Sequence, residues 1–257
     1  MTALQALVFD VDGTVADTEE IHRQAFNAAF IELALWWDWS AEDYMRLLRV
    51  SSGPQRLANY IETLAVPQDE KTRLHGLVPA IHATKTRIYR ELIERGAPVR
   101  PGVERLMKEA RAAGLRLALG STSSTANVEA LVSASLGREA LGWFSAVASV
   151  DEVPRRKPAP DLYLRLLGEL RLPAAACVAF EDSANGVQAA KAAGLYTIAT
   201  PSRWTATQDF AAADLLLHSL GEPRSPLDPA TAKAVGAPQL GVAQIARLHA
   251  AHTGSVA

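Results

Sequence analysis

The sequence is poor in cysteine, in long apolar runs and in charge of one sign. Its 257 residues include a single cysteine, Cys177, so no disulfide can form within the chain, as is usual in a reducing compartment. No apolar stretch reaches the roughly 20 residues that a membrane-spanning helix needs, and no signal-peptide pattern precedes the first apolar segment. The formal net charge is −2 without any block of like charges, which does not support a basic nucleic-acid-binding face. We therefore expect a cytoplasmic protein that binds neither nucleic acid nor membrane, and no obligatory protein partner is evident.

What the sequence does contain is a series of short apolar segments, most of them ended by a turn or an acidic residue. They are residues 6–9, 115–119, 146–150, 176–180, 196–199 and 215–217. Segments with helical periodicity lie between most of them, for example residues 103–113 and 161–170. Buried strands that alternate with helices are typical of a parallel sheet covered on both faces. We predict an α/β fold with a Rossmann-like, doubly wound, mostly parallel sheet, and we expect Cys177 to be a buried core residue.

One part of the sequence breaks this alternation. Between residues 17 and 95 the pattern is helical throughout, with Gly53-Pro54 and Val66-Pro67 as interruptions and no convincing buried strand. We predict that residues 17–95 form a helical cap domain, inserted into a catalytic core formed by residues 1–16 and 96–257. The tail after Gly221 is rich in Pro, Ala and Gly, and its residues 241–250 could form one short amphipathic helix.

Polar clusters follow four of the predicted strands. They are Asp10-Val11-Asp12-Gly13-Thr14, Gly120-Ser121-Thr122-Ser123, Lys157-Pro158 and Glu181-Asp182-Ser183. Ligands of such sheets bind at the carboxyl ends of the strands, so these clusters are expected to converge. Carboxylates that face one point repel each other unless a cation joins them, and oxygen ligands favour a hard cation such as Mg²⁺. A cation beside a lysine and a hydroxyl can hold a phosphate dianion, and one carboxylate could then attack phosphorus.

Each cluster also has a simpler structural interpretation. Asp12-Gly13 is a common turn, Ser121 is a suitable helix N-cap, and Lys157 could be a solvated loop lysine. Glu181 and Asp182 could stabilise the N-terminus of the helix that follows them. All four clusters follow strands of the same predicted sheet, and this shared position favours a common functional site over four separate structural roles.

The four clusters match, in order, the four motifs of the haloacid dehalogenase superfamily of phosphotransferases. The resemblance covers about residues 3–220, and the insertion at 17–95 is similar to the small helical cap of one large subfamily. Within it the sequence resembles the CbbY group of sugar-bisphosphate phosphatases in the stretches DVDGTVADTEEIHRQAFN, AEDYMRLLRVSSGPQRL, KPAPDLY and EDSANG. The resemblance implies a phosphosugar substrate, and for this group the substrate is xylulose 1,5-bisphosphate.

The resemblance also implies a role for each core residue. Asp10 is the expected nucleophile, which forms an aspartyl-phosphate. Asp12 is the expected general acid for the leaving alkoxide and then the base for the attacking water. Ser121 is expected to hydrogen-bond a phosphoryl oxygen, and Lys157 to neutralise the phosphate and the nucleophile. Charge neutralisation and in-line positioning are what phosphoryl transfer mainly requires.

Metal and substrate contacts follow from the same resemblance. Mg²⁺ is expected to bind Asp10, the backbone carbonyl of Asp12, Glu181 and Asp182. The expected substrate contacts are Glu19, His22, Tyr44, Ser52, Gly53, Arg56, Thr122 and Ser123. Arg56 is the first choice for a second phosphate, because a guanidinium binds phosphate in a bidentate manner.

Competing interpretations remain within the cap. Arg49, Lys85 and Arg87 are alternative cations for a second phosphate. Glu19 and His22 could equally belong to an exposed helix face. The tryptophans Trp36, Trp37 and Trp39 are expected to form cap core, with stacking on a sugar as the alternative.

Three alternative functions remain. A mutase such as β-phosphoglucomutase shares the catalytic set and the cap, and the four motifs alone do not separate it from a phosphatase. Dehalogenation needs neither a proton donor such as Asp12 nor the acid pair Glu181-Asp182. A non-catalytic phosphosugar sensor would be expected to have lost its nucleophile or its metal-binding acids, and all of these are present.

Overall fold

The computed structural model describes residues 3–50 and 52–255. The chain divides into two compact units, Met1–Asp17 with Ala97–Ala257 and Thr18–Gly96. These boundaries lie one residue from those predicted for the core and the cap. None of the described helices is both long and apolar enough to cross a membrane.

Within the described residues, the first unit contains a parallel sheet of six strands in the order β3-β2-β1-β4-β5-β6. The strands are β1 (Ala6–Asp10), β2 (Arg116–Gly120), β3 (Phe144–Ala148), β4 (Cys177–Glu181), β5 (Tyr196–Ala199) and β6 (Leu215–Leu216). All residues of β1, β4 and β5 are buried, as the apolar runs predict for strands covered on both faces. The direction of strand addition reverses between β1 and β4, which is where doubly wound sheets bind their ligands.

The second unit is helical, as the pattern of residues 17–95 predicts. Its helices are α1 (Glu19–Glu32), α2 (Ala41–Leu47), α3 (Gly53–Thr63) and α4 (Gln68–Ile93). Its core is aromatic: Trp39 packs against Phe26 and Phe30 with ring centroids 4.8 and 4.9 Å away. Trp37 is also buried, whereas Trp36 is 72 % exposed and is not part of the core.

The first unit also contains six helices among the residues that the structure describes. They are α5 (Val103–Ala112), α6 (Thr125–Leu136), α7 (Asp161–Leu170), α8 (Ala184–Ala192), α9 (Pro229–Val235) and α10 (Val242–Ser255), with short 3₁₀ turns at Arg138–Trp143, Val150–Glu152 and Ala174–Ala176. At the centre of the sheet, Phe9 stacks on Phe180 with centroids 4.5 Å apart. Cys177 is free and buried, as predicted. The approach of α7 to β2 explains Gly120, because a Cβ there would lie 2.9 Å from a methyl carbon of Leu166.

The C-terminal tail is anchored on the first unit. One guanidinium nitrogen of Arg105 donates to the carbonyls of Leu220, Gly221 and Leu240 at 3.0–3.1 Å. The backbone N–H of Val242 donates to Glu109 at 2.8 Å. The tail forms α9, which the sequence did not predict, and α10, which extends the helix predicted at 241–250.

Candidate active site

Two neighbouring strands end in acidic residues at the switch point of the sheet. Strand β1 ends at Asp10 and strand β4 ends at Glu181, and Phe9 pairs with Phe180 in parallel register. Because the register is parallel, Asp10 and Glu181, which follow this pair, lie at the same end of the sheet. Asp10, Glu181 and Asp182 are all buried.

Lys157 joins the two strand-end acids. Its ammonium nitrogen lies 2.6 Å from Oδ1 of Asp10 and 2.5 Å from Oε1 of Glu181. The side chain is only 4 % exposed, so the alternative of a solvated loop lysine is wrong. A buried ammonium between two carboxylates is a charge-assisted contact that water screens little.

The carboxyl ends of these strands also carry oxygen atoms that could coordinate a cation. Ligand atoms of Asp10, Glu181 and Asp182 all lie within 4.8 Å of one another. Oε2 of Glu181 is buried and has no hydrogen-bond partner among the described residues. A buried carboxylate oxygen left without a donor is costly unless a cation meets it. Three carboxylates with one unsatisfied oxygen therefore fit a hard divalent cation.

Burial and neighbouring charge shift the pKa values of these groups. Burial raises the pKa of Asp10 to about 7; Lys157 opposes this shift, and Glu181 adds to it. Burial lowers the pKa of Lys157, but the carboxylates of Asp10 and Glu181 outweigh that effect and hold the pKa above its ordinary value. Lys157 consequently stays protonated, whereas Asp10 needs further positive charge to be fully ionised at neutral pH.

The loop after β2 meets the second aspartate of the first cluster. The hydroxyl of Ser123 donates to Oδ2 of Asp12 at 2.8 Å, and the hydroxyl of Ser121 lies 3.4 Å from the same oxygen. The backbone N–H of Ser123 donates to Oγ of Ser121 at 2.9 Å. Thr122 is half-buried between them. The hydroxyl cluster and the Asp12 carboxylate thus form one hydrogen-bonded group.

Glycines allow the acids to approach the backbone. Gly13 has a φ of +87°, and a Cβ there would collide with the carboxylate of Asp182. A Cβ on Gly186, in the first turn of α8, would collide with the carboxylate of Glu181. Gly13 is therefore required for both its backbone conformation and the space it leaves, and Gly186 for space alone.

Three residues that the sequence analysis did not select also contact this site. The hydroxyl of Tyr163 donates to Oε1 of Glu181, and Oγ1 of Thr205 lies 3.3 Å from Oδ2 of Asp182. Arg100 is buried and donates to the carbonyl of Gly13 at 2.9 Å. It also donates to the carbonyls of Pro201 and His218 at 3.2 and 3.1 Å. Tyr163 lies inside the quoted stretch KPAPDLY, but no local signal marks the other two.

In the helical unit, three of the selected residues form one hydrogen-bonded chain. Nη1 of Arg56 donates to the hydroxyl of Tyr44 at 2.9 Å, and that hydroxyl donates to Glu19 at 3.0 Å. The other guanidinium nitrogens of Arg56 donate to the carbonyls of Leu47 and Val50 at 3.2 and 3.0 Å. Arg56, in the first turn of α3, therefore ties this helix to Leu47 at the end of α2 and to Val50.

The remaining selected residues of the helical unit lie near α4. His22 is buried, so the alternative of an exposed helix face is wrong for it; its Nδ1 lies 2.7 Å from Nζ of Lys85 and its ring stacks on Tyr89 at 4.1 Å. Ser52 is the residue before α3, and Gly53 begins that helix. A Cβ on Gly53 would lie 3.0 Å from the ring of His82.

Buried acids, a lysine and hydroxyls at the switch point of a doubly wound sheet agree with the motifs of the haloacid dehalogenase superfamily. Residues 4–194 match the family of haloacid dehalogenase-like hydrolases, and the chain belongs to that family. It is a phosphoric monoester hydrolase.

Within this family, the chain is similar to CbbY proteins. The chain is 49 % identical over 219 residues to the CbbY protein of Rhodobacter capsulatus, a match that covers 84 % of this chain and 94 % of that one. It is similar to the crystal structure of CbbY from Rhodobacter sphaeroides in complex with phosphate, with a TM-score of 0.75 and 41 % identity over 84 % of this chain and 94 % of that one. An aspartate-to-asparagine variant of the same Rhodobacter sphaeroides protein, in complex with xylulose 1,5-bisphosphate, gives the same TM-score of 0.75 at 40 % identity and the same coverage.

Proposed function

We propose that this phosphatase hydrolyses a phosphosugar, most specifically xylulose 1,5-bisphosphate, through an aspartyl-phosphate on Asp10 and with Mg²⁺ as cofactor. The observation that carries the proposal is the buried cluster of Asp10, Lys157, Glu181 and Asp182, which combines a candidate nucleophile with a fixed cation and an unsatisfied carboxylate oxygen. The substrate is proposed by similarity, because the relative that shares 40 % of its residues binds that bisphosphate as an asparagine variant.

The first chemical step is assigned to the two aspartates of β1 and its loop. A carboxylate oxygen of Asp10 forms a bond to phosphorus as the bond from phosphorus to the sugar oxygen breaks. Asp12 gives its proton to the leaving sugar oxygen, so that an alcohol and not an alkoxide departs. Ser121 donates a hydrogen bond to a phosphoryl oxygen. Lys157 neutralises negative charge on both the phosphoryl group and Asp10.

The second step returns the enzyme to its starting state. Asp12, now ionised, takes a proton from a water molecule, whose oxygen attacks phosphorus. The bond from phosphorus to Asp10 breaks, inorganic phosphate leaves, and the Asp10 carboxylate is restored. The hydroxyl of Ser123, 2.8 Å from the Asp12 carboxylate, is proposed to hold that side chain in position.

The cation is assigned to Asp10, Glu181, Asp182 and the backbone carbonyl of Asp12. Bound Mg²⁺ supplies the positive charge that keeps Asp10 ionised and offsets the charge of the phosphoryl oxygens. Mg²⁺ is preferred over Ca²⁺ in the proposal because its smaller and stricter coordination shell suits in-line transfer.

Substrate recognition is assigned to both units. The proposed contacts are Glu19, His22, Tyr44, Ser52, Gly53 and Arg56 of the helical unit and Thr122 and Ser123 of the core. The second phosphate of a bisphosphate requires a cation other than Lys157, and Arg56 is proposed for it. The guanidinium is buried, its described contacts are to a hydroxyl, two carbonyls and the ring of Tyr44, and no carboxylate among the described residues pairs with it directly, which supports an anion as its further partner.

The test is a phosphate-release assay on a panel of sugar monophosphates and bisphosphates, with Mg²⁺ and with EDTA. We expect release that depends on Mg²⁺ and is fastest with xylulose 1,5-bisphosphate. Full activity in EDTA would refute the cation assignment. Conversion of a sugar phosphate to its isomer without net phosphate release would replace hydrolysis by mutase activity.

A further inference from the structure

Tyr163 places a phenol inside an otherwise apolar packing layer. It lies in the first turn of α7, is fully buried, and packs in the same cluster as Leu162, Leu166 and Leu167. A buried tyrosine hydroxyl needs a hydrogen-bond partner, because removing it from water without one is costly. Its partner is Oε1 of Glu181, at the end of β4.

The two carboxylate oxygens of Glu181 differ in their hydrogen-bond partners. Oε1 receives both the Tyr163 hydroxyl and the ammonium of Lys157, the latter at 2.5 Å. Oε2 is buried and, among the described residues, has no hydrogen-bond partner. Because both donors bind Oε1, Oε2 is the oxygen of Glu181 that can coordinate a cation.

The ring of Tyr163 also contacts the other donor. Nζ of Lys157 lies 5.3 Å from the centroid of the Tyr163 ring, within the range of a cation–π contact. A phenol ordinarily holds its proton at neutral pH, so the Tyr163 hydroxyl is the donor in its contact with the Glu181 carboxylate.

We propose that Tyr163 is a positioning residue for the cation site: by holding Oε1 of Glu181, it fixes the carboxylate so that Oε2 is presented to the cation before the cation binds. The inference rests on the proposed cation site at Asp10, Glu181 and Asp182. Groups that orient a metal ligand are commonly worth about 10- to 100-fold in metal affinity. Tyr163 itself touches neither the cation nor the substrate.

The test is the substitution Tyr163→Phe, which keeps the ring and its packing and removes only the hydroxyl. Binding of Mn²⁺ alone is measured by titration calorimetry on the substrate-free enzyme. We expect the Kd for Mn²⁺ to rise about tenfold, as for loss of an orienting partner. The Mg²⁺ concentration for half-maximal phosphate release should rise by a similar factor, while kcat at saturating Mg²⁺ and the KM for the sugar phosphate change less than about threefold.

Tyr196→Phe is the matched control, because Tyr196 is another buried tyrosine of the same unit, on β5 and outside the cation site. It should bind Mn²⁺ as the parent does. An unchanged Kd in Tyr163→Phe would overturn the inference, as would an equal rise in both variants. Asp182→Asn separates this result from the proposed function: if it leaves Mn²⁺ binding unchanged, the cation site itself is wrong.

Discussion

Each of the two units buries a cationic side chain that the sequence analysis selected, and the two are surrounded differently. Lys157 in the first unit is 4 % exposed and contacts two carboxylates. Arg56 in the second unit is 7 % exposed, and its described contacts are to the hydroxyl and ring of Tyr44 and to two backbone carbonyls. The difference lies in the charge of the partners and not in the depth of burial.

This difference in charge indicates whether each site attracts a cation or an anion. Around Lys157, the three carboxylates of Asp10, Glu181 and Asp182 outnumber one ammonium, so the group as a whole attracts a further cation. Around Arg56 the direct partners are neutral, and the nearest carboxylate in its hydrogen-bonded chain is Glu19, beyond Tyr44. Its positive charge is therefore compensated less, which suits an anion.

The largest expected effect comes from removing the charge of Asp10. Asp10→Asn keeps the size of the side chain and takes away both the nucleophile and one partner of Lys157. We expect kcat to fall by about 10⁴-fold or more, as when a nucleophile is removed from other hydrolases. Phosphate release is the measurement, and circular dichroism checks that the fold is kept. Turnover within tenfold of the parent would end the nucleophile assignment.

The contrast between the two cations is tested by one substitution in each unit. Lys157→Met leaves two buried carboxylates without their partner, which we expect to cost about 3–5 kcal/mol of unfolding free energy. Arg56→Met removes hydrogen bonds from a charged donor to neutral acceptors, a loss of about 1.5–3 kcal/mol. Urea unfolding of both variants gives the comparison.

Added Mg²⁺ makes this contrast sharper. If Mg²⁺ binds the native acids as proposed, it should restore part of the stability that Lys157→Met loses, and it should restore none in Arg56→Met beyond its effect on the parent. Equal responses of the two variants to Mg²⁺ would show that the negative excess around Lys157 is not what distinguishes the sites.

A smaller and selective effect is expected from Arg56 on the substrate. Arg56→Ala should lower kcat/KM for xylulose 1,5-bisphosphate by about 10- to 1000-fold, as for the loss of a buried charge-assisted contact. Hydrolysis of p-nitrophenyl phosphate, which has no second phosphate, should change little.

Arg56→Lys is the control for charge in this experiment. It keeps the positive charge but lacks the fork that donates to Tyr44 and to two carbonyls, so we expect partial recovery of activity on the bisphosphate. Equal losses of kcat/KM on both substrates would mean that Arg56 stabilises the helical unit and does not bind the second phosphate. If neither substrate is affected, Arg49 and Lys85 are the next candidates.

Much of the sheet could be predicted because its strands are short apolar runs buried on both faces. The predicted bounds of β1 end one residue early, those of β2 and β4 lie one residue early at both ends, and those of β5 agree with the structure. β3 was placed two residues late, since it lies at an edge of the sheet and its alternating burial makes its ends less distinct. Helix α9 was missed because Pro, Ala and Gly in the tail give no apolar period there.

Contacts between distant residues could not be predicted in the same way. The sequence places Tyr163 on the apolar face of a helix but cannot tell that its hydroxyl reaches Glu181, 18 residues further along the chain. Likewise, nothing local to Trp36 or His22 shows that the first is exposed and the second is stacked on Tyr89. Such contacts depend on how elements pack, which a single sequence specifies only through the whole fold.

The anchoring of the chain beyond β4 bears on recombinant versions of this enzyme. A chain shortened to residues 4–194 would match the family over its full length and retain all four motifs. It would still lack β5 and β6, the amide of Thr200 that donates to the carbonyl of Glu181 at 2.7 Å, and the hydroxyl of Thr205 beside Asp182. The acids would then stand on an open sheet edge that exposes backbone donors and acceptors to pairing with other chains. Recombinant protein meant for crystallisation or assay should therefore extend at least through β6.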